Sequence, residues 1–456
     1  MLSSVIFALA VGGSSVAFAA TTTTYPVRPT FSTIEPALTD IRAAQATAIP
    51  SSPTSNVKGK AFDRIIHIWL ENTDFDKAAA DPNLQWLASQ GILLTNYWAV
   101  THPSEPNYIA SVGGDTFGME NDDFNRIPSN ISTVVDLLDT KGIAWGEYQE
   151  DLPYAGYIGF NFTNQQNTSN NDYVRKHNPL VIYDSVANNA TRLSQIKNFT
   201  SFTSDLNAQT LPQWSFITPN MTNDGHDTTI TFAANWARTF LTPLLGNPYF
   251  MNNTLVVLTF DEDDTYTEHN TVFTVLLGGA VAGHQNTTDD TFYNHYSLLS
   301  TVELNWGLPS LGRWDCNANV LALVANATGY TNAKVDTTNL YFNASYPGPF
   351  SDAKYVPIYP VPATNAKCAA GSILGSVVST WGQSAGTFDY TNVYPLENST
   401  LTGSGTTKPS STGSASSTSS TSSPSSSSKP SAANINMGVS WIVLLGLAGI
   451  VSALIM

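Results

Sequence analysis

The 456-residue chain has only two cysteines, Cys316 and Cys368. A pair permits at most one bridge within the chain. In an oxidising compartment that bridge would tie the end of the main domain to a C-terminal extension; the alternative is two separate buried thiols. Positive charge is also scarce: 19 Lys and Arg stand against 35 Asp and Glu, a formal net charge of −16. That balance, with a pI near 4.6, argues against nucleic acid as a partner. It suits solubility in an acidic medium. Basic residues are missing as well from the flanks of two apolar ends. No Lys or Arg precedes the apolar run that starts at Leu2, and none comes after the run that closes at Met456.

The first of these runs leads into Ala17-Phe-Ala-Ala20, a small-residue pattern that marks residues 1–20 as a signal peptide. The last begins near residue 435. A membrane helix that stays in place usually keeps a basic cytoplasmic flank. A tail without one, preceded by small residues around Ser431 and a short spacer, reads as a glycolipid-anchor signal over 435–456. Residues 399–434 are almost wholly Ser, Thr, Gly and Pro, too polar to bury a core. They read as an O-glycosylated stalk. Eleven Asn-x-Ser/Thr acceptors imply a surface that carries N-glycans. Together these features predict an extracellular protein, held at the cell membrane near Ser431 or passed to the cell wall.

Between the ends the chain divides into an N-terminal arm at 21–58, a main domain at 59–325 and a C-terminal extension at 326–398. The main domain alternates apolar strands with helical stretches. Continuous apolar runs at 64–70, 91–100, 142–148, 214–218, 255–260 and 271–277 read as strands. Helical spacing appears at 82–89, 132–139, with Ser132 able to cap it, at 200–208, 229–245 and 293–306. Residues 150–178 read as polar loop. This order predicts an α/β fold with a mostly parallel sheet and helices on both faces.

Four apolar runs end in polar clusters: Glu71-Asn72, Ser104, Asp224-Gly-His226-Asp227, and Asp261-Glu262. A parallel sheet gathers such clusters outside the carboxyl ends of its strands. Oxygen-bearing pairs of this kind suit a hard divalent cation, and a serine beside one is a candidate nucleophile. Each cluster has a plainer alternative. Ser104 could cap a helix, Asp261 to Asp264 could be an acidic surface turn, and His226 could sit in an ordinary Asp-Gly turn. His67, within an apolar strand, reads as a core histidine. His102 could contact substrate or only pack. His177, His269 and His284 lie in polar loops without an assigned role.

Five stretches in order, Glu71-Asn72, Pro103-Ser-Glu-Pro-Asn-Tyr108, Asn223-Asp-Gly-His-Asp227, Phe260-Asp-Glu262 and Asn294 to Glu303, resemble the phosphoesterase family of phospholipases C and acid phosphatases. The resemblance covers residues 60 to 310. It implies a fold similar to alkaline phosphatase and matches Ser104 to the nucleophile. It matches Glu71, Asn72, Asp261 and Glu262 to ligands of one divalent metal ion that also contacts Ser104. His226 matches a histidine at the phosphoryl group, and His295 one near the same site. The chain lacks the Asp-His and paired-His sets of two-zinc relatives, which speaks for one metal. The Asp261-Glu-Asp-Asp-Thr265 run replaces a Gly-rich, aromatic continuation common in phospholipases C, which speaks against lipid cleavage. The expected activity is hydrolysis of phosphate monoesters, in acid, at the cell surface. The rival readings are a phospholipase C-type phosphodiesterase and a non-catalytic wall mannoprotein.

Overall fold

The structure is a computed structural model that describes residues 24–384 and 388–395. The signal peptide, the stalk region and the anchor signal lie outside the described residues.

The core is an eight-stranded sheet. Its centre is Arg64–Leu70, flanked on one side by Trp214–Thr218 and on the other by Thr254–Phe260, both parallel to it. Trp145–Gln149 and then Ile196–Lys197 extend the first side, again in parallel. On the second side Thr274–Leu277 runs antiparallel, succeeded by Ile92–Leu94 and Thr287–Asp289. Side chains alternate across a strand, and in Arg64–Leu70 residues of both parities are buried, so both faces are covered. On one face Trp69 packs on Tyr108 and His295. These belong to the helices Ser104–Gly113 and His295–Trp306. A second helical pair, Pro82–Ser89 and Ile230–Leu245, also packs together. Asp81 caps the former, its side chain accepting from Asn83 and Leu84 N–H groups ahead of Pro82.

The apolar run at 91–100 is not one strand. Ile92–Leu94 joins the large sheet, and Tyr97–Trp98 pairs with Tyr293–Asn294 in a separate two-stranded sheet. Hydrophobicity reports that a segment is buried, not which neighbour it pairs with. The helix expected from 132 begins at Val134, and Thr133, not Ser132, caps it in a reciprocal box with Asp136. Residues 150–178 include a polar hairpin, Asn161–Thr163 with Asn171–Val174.

Cys316 and Cys368 form a disulfide. Residues beyond 326 pack on the main domain through Leu340, Phe342, Tyr346, Tyr390 and Tyr394, which cluster with Trp98, Val100, Tyr296 and Trp314. In the arm, buried Arg28 pairs with Asp123 and with Asp352. Of the eleven acceptor asparagines, ten lie among the described residues, and none of them is buried.

Candidate active site

The polar clusters converge at the carboxyl edge of the sheet. Glu71 comes directly after Leu70, and Asp261 after Phe260 on the adjacent strand; the Asp261 N–H donates to the Leu70 carbonyl at 3.2 Å. On the other flank the Glu71 N–H donates to the Asp224 carbonyl at 3.0 Å. Backbone bonds among two neighbouring strand ends and the turn at Asp224 thus hold three acidic residues side by side. Gly225, at a φ of 110°, makes the turn that lets the His226 N–H reach Asp224 Oδ1 at 2.8 Å.

Ser104 is the first residue of its helix, and the preceding Pro103 occupies the cap position without a side-chain bond. The serine is therefore not a cap. Its hydroxyl donates to Glu71 Oε2 at 3.3 Å, and the Asp261 carboxyl lies close by. Asn107, one turn on, fixes the loop that carries it. Its Oδ1 accepts from the Val100 and Thr101 N–H groups, and its Nδ2 donates to the Thr101 and Pro103 carbonyls and to Glu262 Oε2. Glu262 Oε1 accepts from Asn72 Nδ2 at 3.1 Å. Glu262 thus bridges the amides of Asn72 and Asn107, leaving the Asn72 carbonyl oxygen free of protein partners.

The pattern of partners is uneven. Asn72 Oδ1, Asp224 Oδ2 and Asp261 Oδ2 are buried without a hydrogen bond. Buried oxygens of this kind are normally bonded. Here they line an edge that already carries Glu71, Asp224, Asp261 and Glu262. Burial pushes the carboxyls of Asp261 and Glu262 well up, and the neighbouring acidic charges push them further. At Glu71 burial also works upward, but His177, Lys176 and His226 outweigh it and hold the group below its ordinary range. Negative charge exceeds its local partners, so the donor set fits a hard divalent cation. Two overlapping groups share Glu71. One is Asn72, Asp261, Glu262 and Ser104, as read from the sequence. The other adds His177 and Asp224, whose ligand atoms lie with that of Glu71 within 4.8 Å of one another.

His177 and Lys176 were not assigned from the sequence. His177 Nε2 lies 3.2 Å from Glu71 Oε1 and its Nδ1 lies 3.5 Å from Asp224 Oδ2, though neither is well aligned for a hydrogen bond. Its ring stacks on Tyr108, whose hydroxyl donates to Glu71 Oε1 at 2.6 Å. Burial alone would lower His177, but Glu71 and Asp224 raise it. The signal available in the sequence was the adjacent pair Lys176-His177 in a loop with few other charges. His226 stands at the rim, a third exposed, with Nδ1 at 3.0 Å from Asp227 and Nε2 at 3.5 Å from Lys176 Nζ. His295 is brought to the floor, not the opening. Its Nε2 bonds the Asp261 carbonyl at 2.6 Å, and burial lowers it to about 3, so it is neutral. His67 packs on Trp214 and Phe216 in the core. His102 pairs with Asp263 at 2.8 Å and bonds Asn343. Asp261, Glu262 and Asp263 are all buried and only Asp264 is exposed, so the first three acids of the run do not form a surface turn.

A family model described as the phosphoesterase family matches residues 75–309. An acid phosphatase of Aspergillus fumigatus is 61% identical over 370 residues, covering 80% of this chain and 83% of that protein. A phosphate-repressible acid phosphatase of Penicillium chrysogenum is 58% identical, covering 79% and 88%. A phosphatidylinositol-3-phosphatase of Mycobacterium tuberculosis is 36% identical, covering 51% and 71%. Among solved structures, an alkaline phosphatase superfamily protein of Vibrio parahaemolyticus aligns with 13% identity and a TM-score of 0.36, covering 58% of this chain and 72% of that one.

Proposed function

The chain belongs to the phosphoesterase family, and on that premise we propose that it is an acid phosphatase that hydrolyses phosphate monoesters through a phosphoserine at Ser104. The observation that carries this reading is the setting of Ser104. Its hydroxyl faces an ionised carboxylate, Glu71 Oε2, at the N-terminus of a ten-residue helix, where free N–H groups favour an anion.

In the proposed cycle Ser104 Oγ attacks phosphorus in line and displaces the alcohol; water then releases phosphate from the serine. Glu71 Oε2 receives the hydroxyl proton. Lys176 and the helix N-terminus face the equatorial oxygens and offset their charge. His226, at the rim, donates a proton to the leaving alcohol. A divalent cation held by Glu71, Asn72, Asp261, Glu262 and Ser104, with His177 and Asp224 adjacent, would supply charge neutralisation and lower the serine's pKa. Asn107 and Glu262 keep Ser104 and Asn72 in place, and His295 holds the Asp261 backbone.

A hollow of about 510 Å³ beside His226 is lined by Ser169, Asn170, Asn171, Met221 and Asp227. Five of the six lining residues, His226 included, are polar, which supports a polar leaving group over acyl chains. Relative rates on para-nitrophenyl phosphate, its bis-ester and phosphatidylcholine test the assignment. The monoester turned over fastest, and in acid, is expected. Preference for either diester would favour a phospholipase C, and no turnover of any would favour a wall protein.

We also propose that the mature chain is N-glycosylated and displayed at the cell surface through an anchor attached near Ser431, as the composition of both ends supports. Mass spectrometry of surface protein that still carried the 435–456 tail would contradict the anchor.

A further inference from the structure

The site carries an anion of its own. Asp122 Oδ1 accepts the Glu105 N–H at 2.9 Å, and Asp122 Oδ2 lies 3.0 Å from Lys176 Nζ. Glu105 is next to Ser104, so this N–H belongs to the first turn of the helix, where unpaired donors and the helix dipole concentrate positive character. Lys176 lies largely out of solvent. It interacts with Glu71, which accepts the Ser104 hydroxyl, and with the nearby Asp261 carboxyl. A phosphoryl group on its way to Ser104 needs donors at these places, and a carboxylate holds both.

Asp122 is not a loose surface acid. Its neighbours are fastened on either side. Glu120 Oε1 accepts from Ser351 Oγ at 2.8 Å and from the Ala353 N–H, and Asn121 Nδ2 donates to the Phe350 carbonyl at 3.0 Å. Asp123 pairs with Arg28, which also reaches Asn125 and Asp352. The N-terminal arm and the C-terminal extension thus brace the loop that presents Asp122.

We propose that Asp122 is an internal competitor for the phosphate position and sets the affinity of the site for substrate and for inorganic phosphate. The inference rests on the phosphatase reading above. A phosphate, which offers several charged oxygens to both donors, must displace the carboxylate to bind, and the carboxylate returns when product leaves. The contrary role is positioning: Asp122 would hold Lys176 in place, and its loss would weaken phosphate binding.

The two roles predict opposite signs for Asp122→Asn and Asp122→Ala in the full-length protein. Competition predicts that KM for para-nitrophenyl phosphate and Ki for inorganic phosphate both fall, by about tenfold, because an anion near the bound phosphate is removed. A Ki that is unchanged or raised in either folded variant overturns the proposal. So does loss of the fold in Asp122→Asn, since removing a competitor of the same shape must leave the fold intact. Calorimetric titration with inorganic phosphate gives the same comparison without turnover. Wild-type protein that bound phosphate but hydrolysed nothing would sink the phosphatase reading and leave the Asp122 comparison intact.

Discussion

Two lysines among the described residues are withdrawn from water, on different terms. Lys197, on an edge strand, donates to Asp205 Oδ2 and to Ser52 Oγ, both at 2.8 Å, and lies over the Tyr148 ring. Asp205 Oδ2 also accepts from Tyr148 at 2.7 Å and Ser52 at 2.9 Å. One acid and one base close on each other, with hydroxyls completing the set. Lys176 also has one acid partner, but Glu71 and Asp261 lie close to it as well, and Asp224 and Glu262 share the same edge. Several oxygens there have no partner. Burial alone does not distinguish the two places; completeness does. A closed network holds the fold, and an open one of like charge is stable only with something added.

The largest expected contrast comes from breaking each network in turn. Asp261→Ala should lower turnover about 10³-fold, by removing a charged group from the reacting centre, and should leave the melting temperature close to wild type. Lys197→Ala leaves Asp205 buried without its cation and should cost about 3–5 kcal/mol of stability. Activity per folded molecule should stay within about twofold, because the two networks share no partners. Turnover assays beside thermal melts read both. A folded, inactive Lys197 variant together with an active Asp261 variant would reverse the distinction.

The acidic edge in this contrast was legible in part in the sequence, for a physical reason. The parallel strands are buried on both faces, so they stand out as unbroken apolar runs, and their polar ends mark the edge where a site can form. Glu71 and Asp261 directly follow such strands, and Ser104 and Asp224 lie a few residues beyond apolar runs. His177, Lys176 and Asp122 follow no such run. They adjoin no core strand, and their contacts span sequence gaps that no local period records. Arg28 and the 350–353 stretch are further examples: their service to the Asp122 loop depends on chain ends meeting in space. The split of 91–100 into two sheets was hidden because a single apolar run fits either pairing.

A smaller effect separates the site from a third kind of buried acid. Glu147 is fully buried, with Oε1 accepting the Leu180 N–H at 3.2 Å and Oε2 unpartnered. Burial raises it well above its ordinary 4.5. A carboxyl raised in the folded state favours the protonated form, so its contribution is complete below pH 4.5 and is lost as pH rises through the folded value. Thermal melts should therefore fall as pH rises from 4.5 toward the folded value. Glu147→Gln should flatten the slope and recover about 2 °C at neutral pH. An unchanged slope in the variant would assign the pH dependence to other groups.

The central claim is that Ser104 becomes covalently phosphorylated. Acid quenching within a single turnover of radiolabelled phosphate monoester, then peptide mapping, tests it directly. Label on the peptide that contains Ser104, absent from a folded Ser104→Ala variant that has lost nearly all turnover, is the predicted result. Substantial turnover by that folded variant, or label confined to another residue, would contradict it.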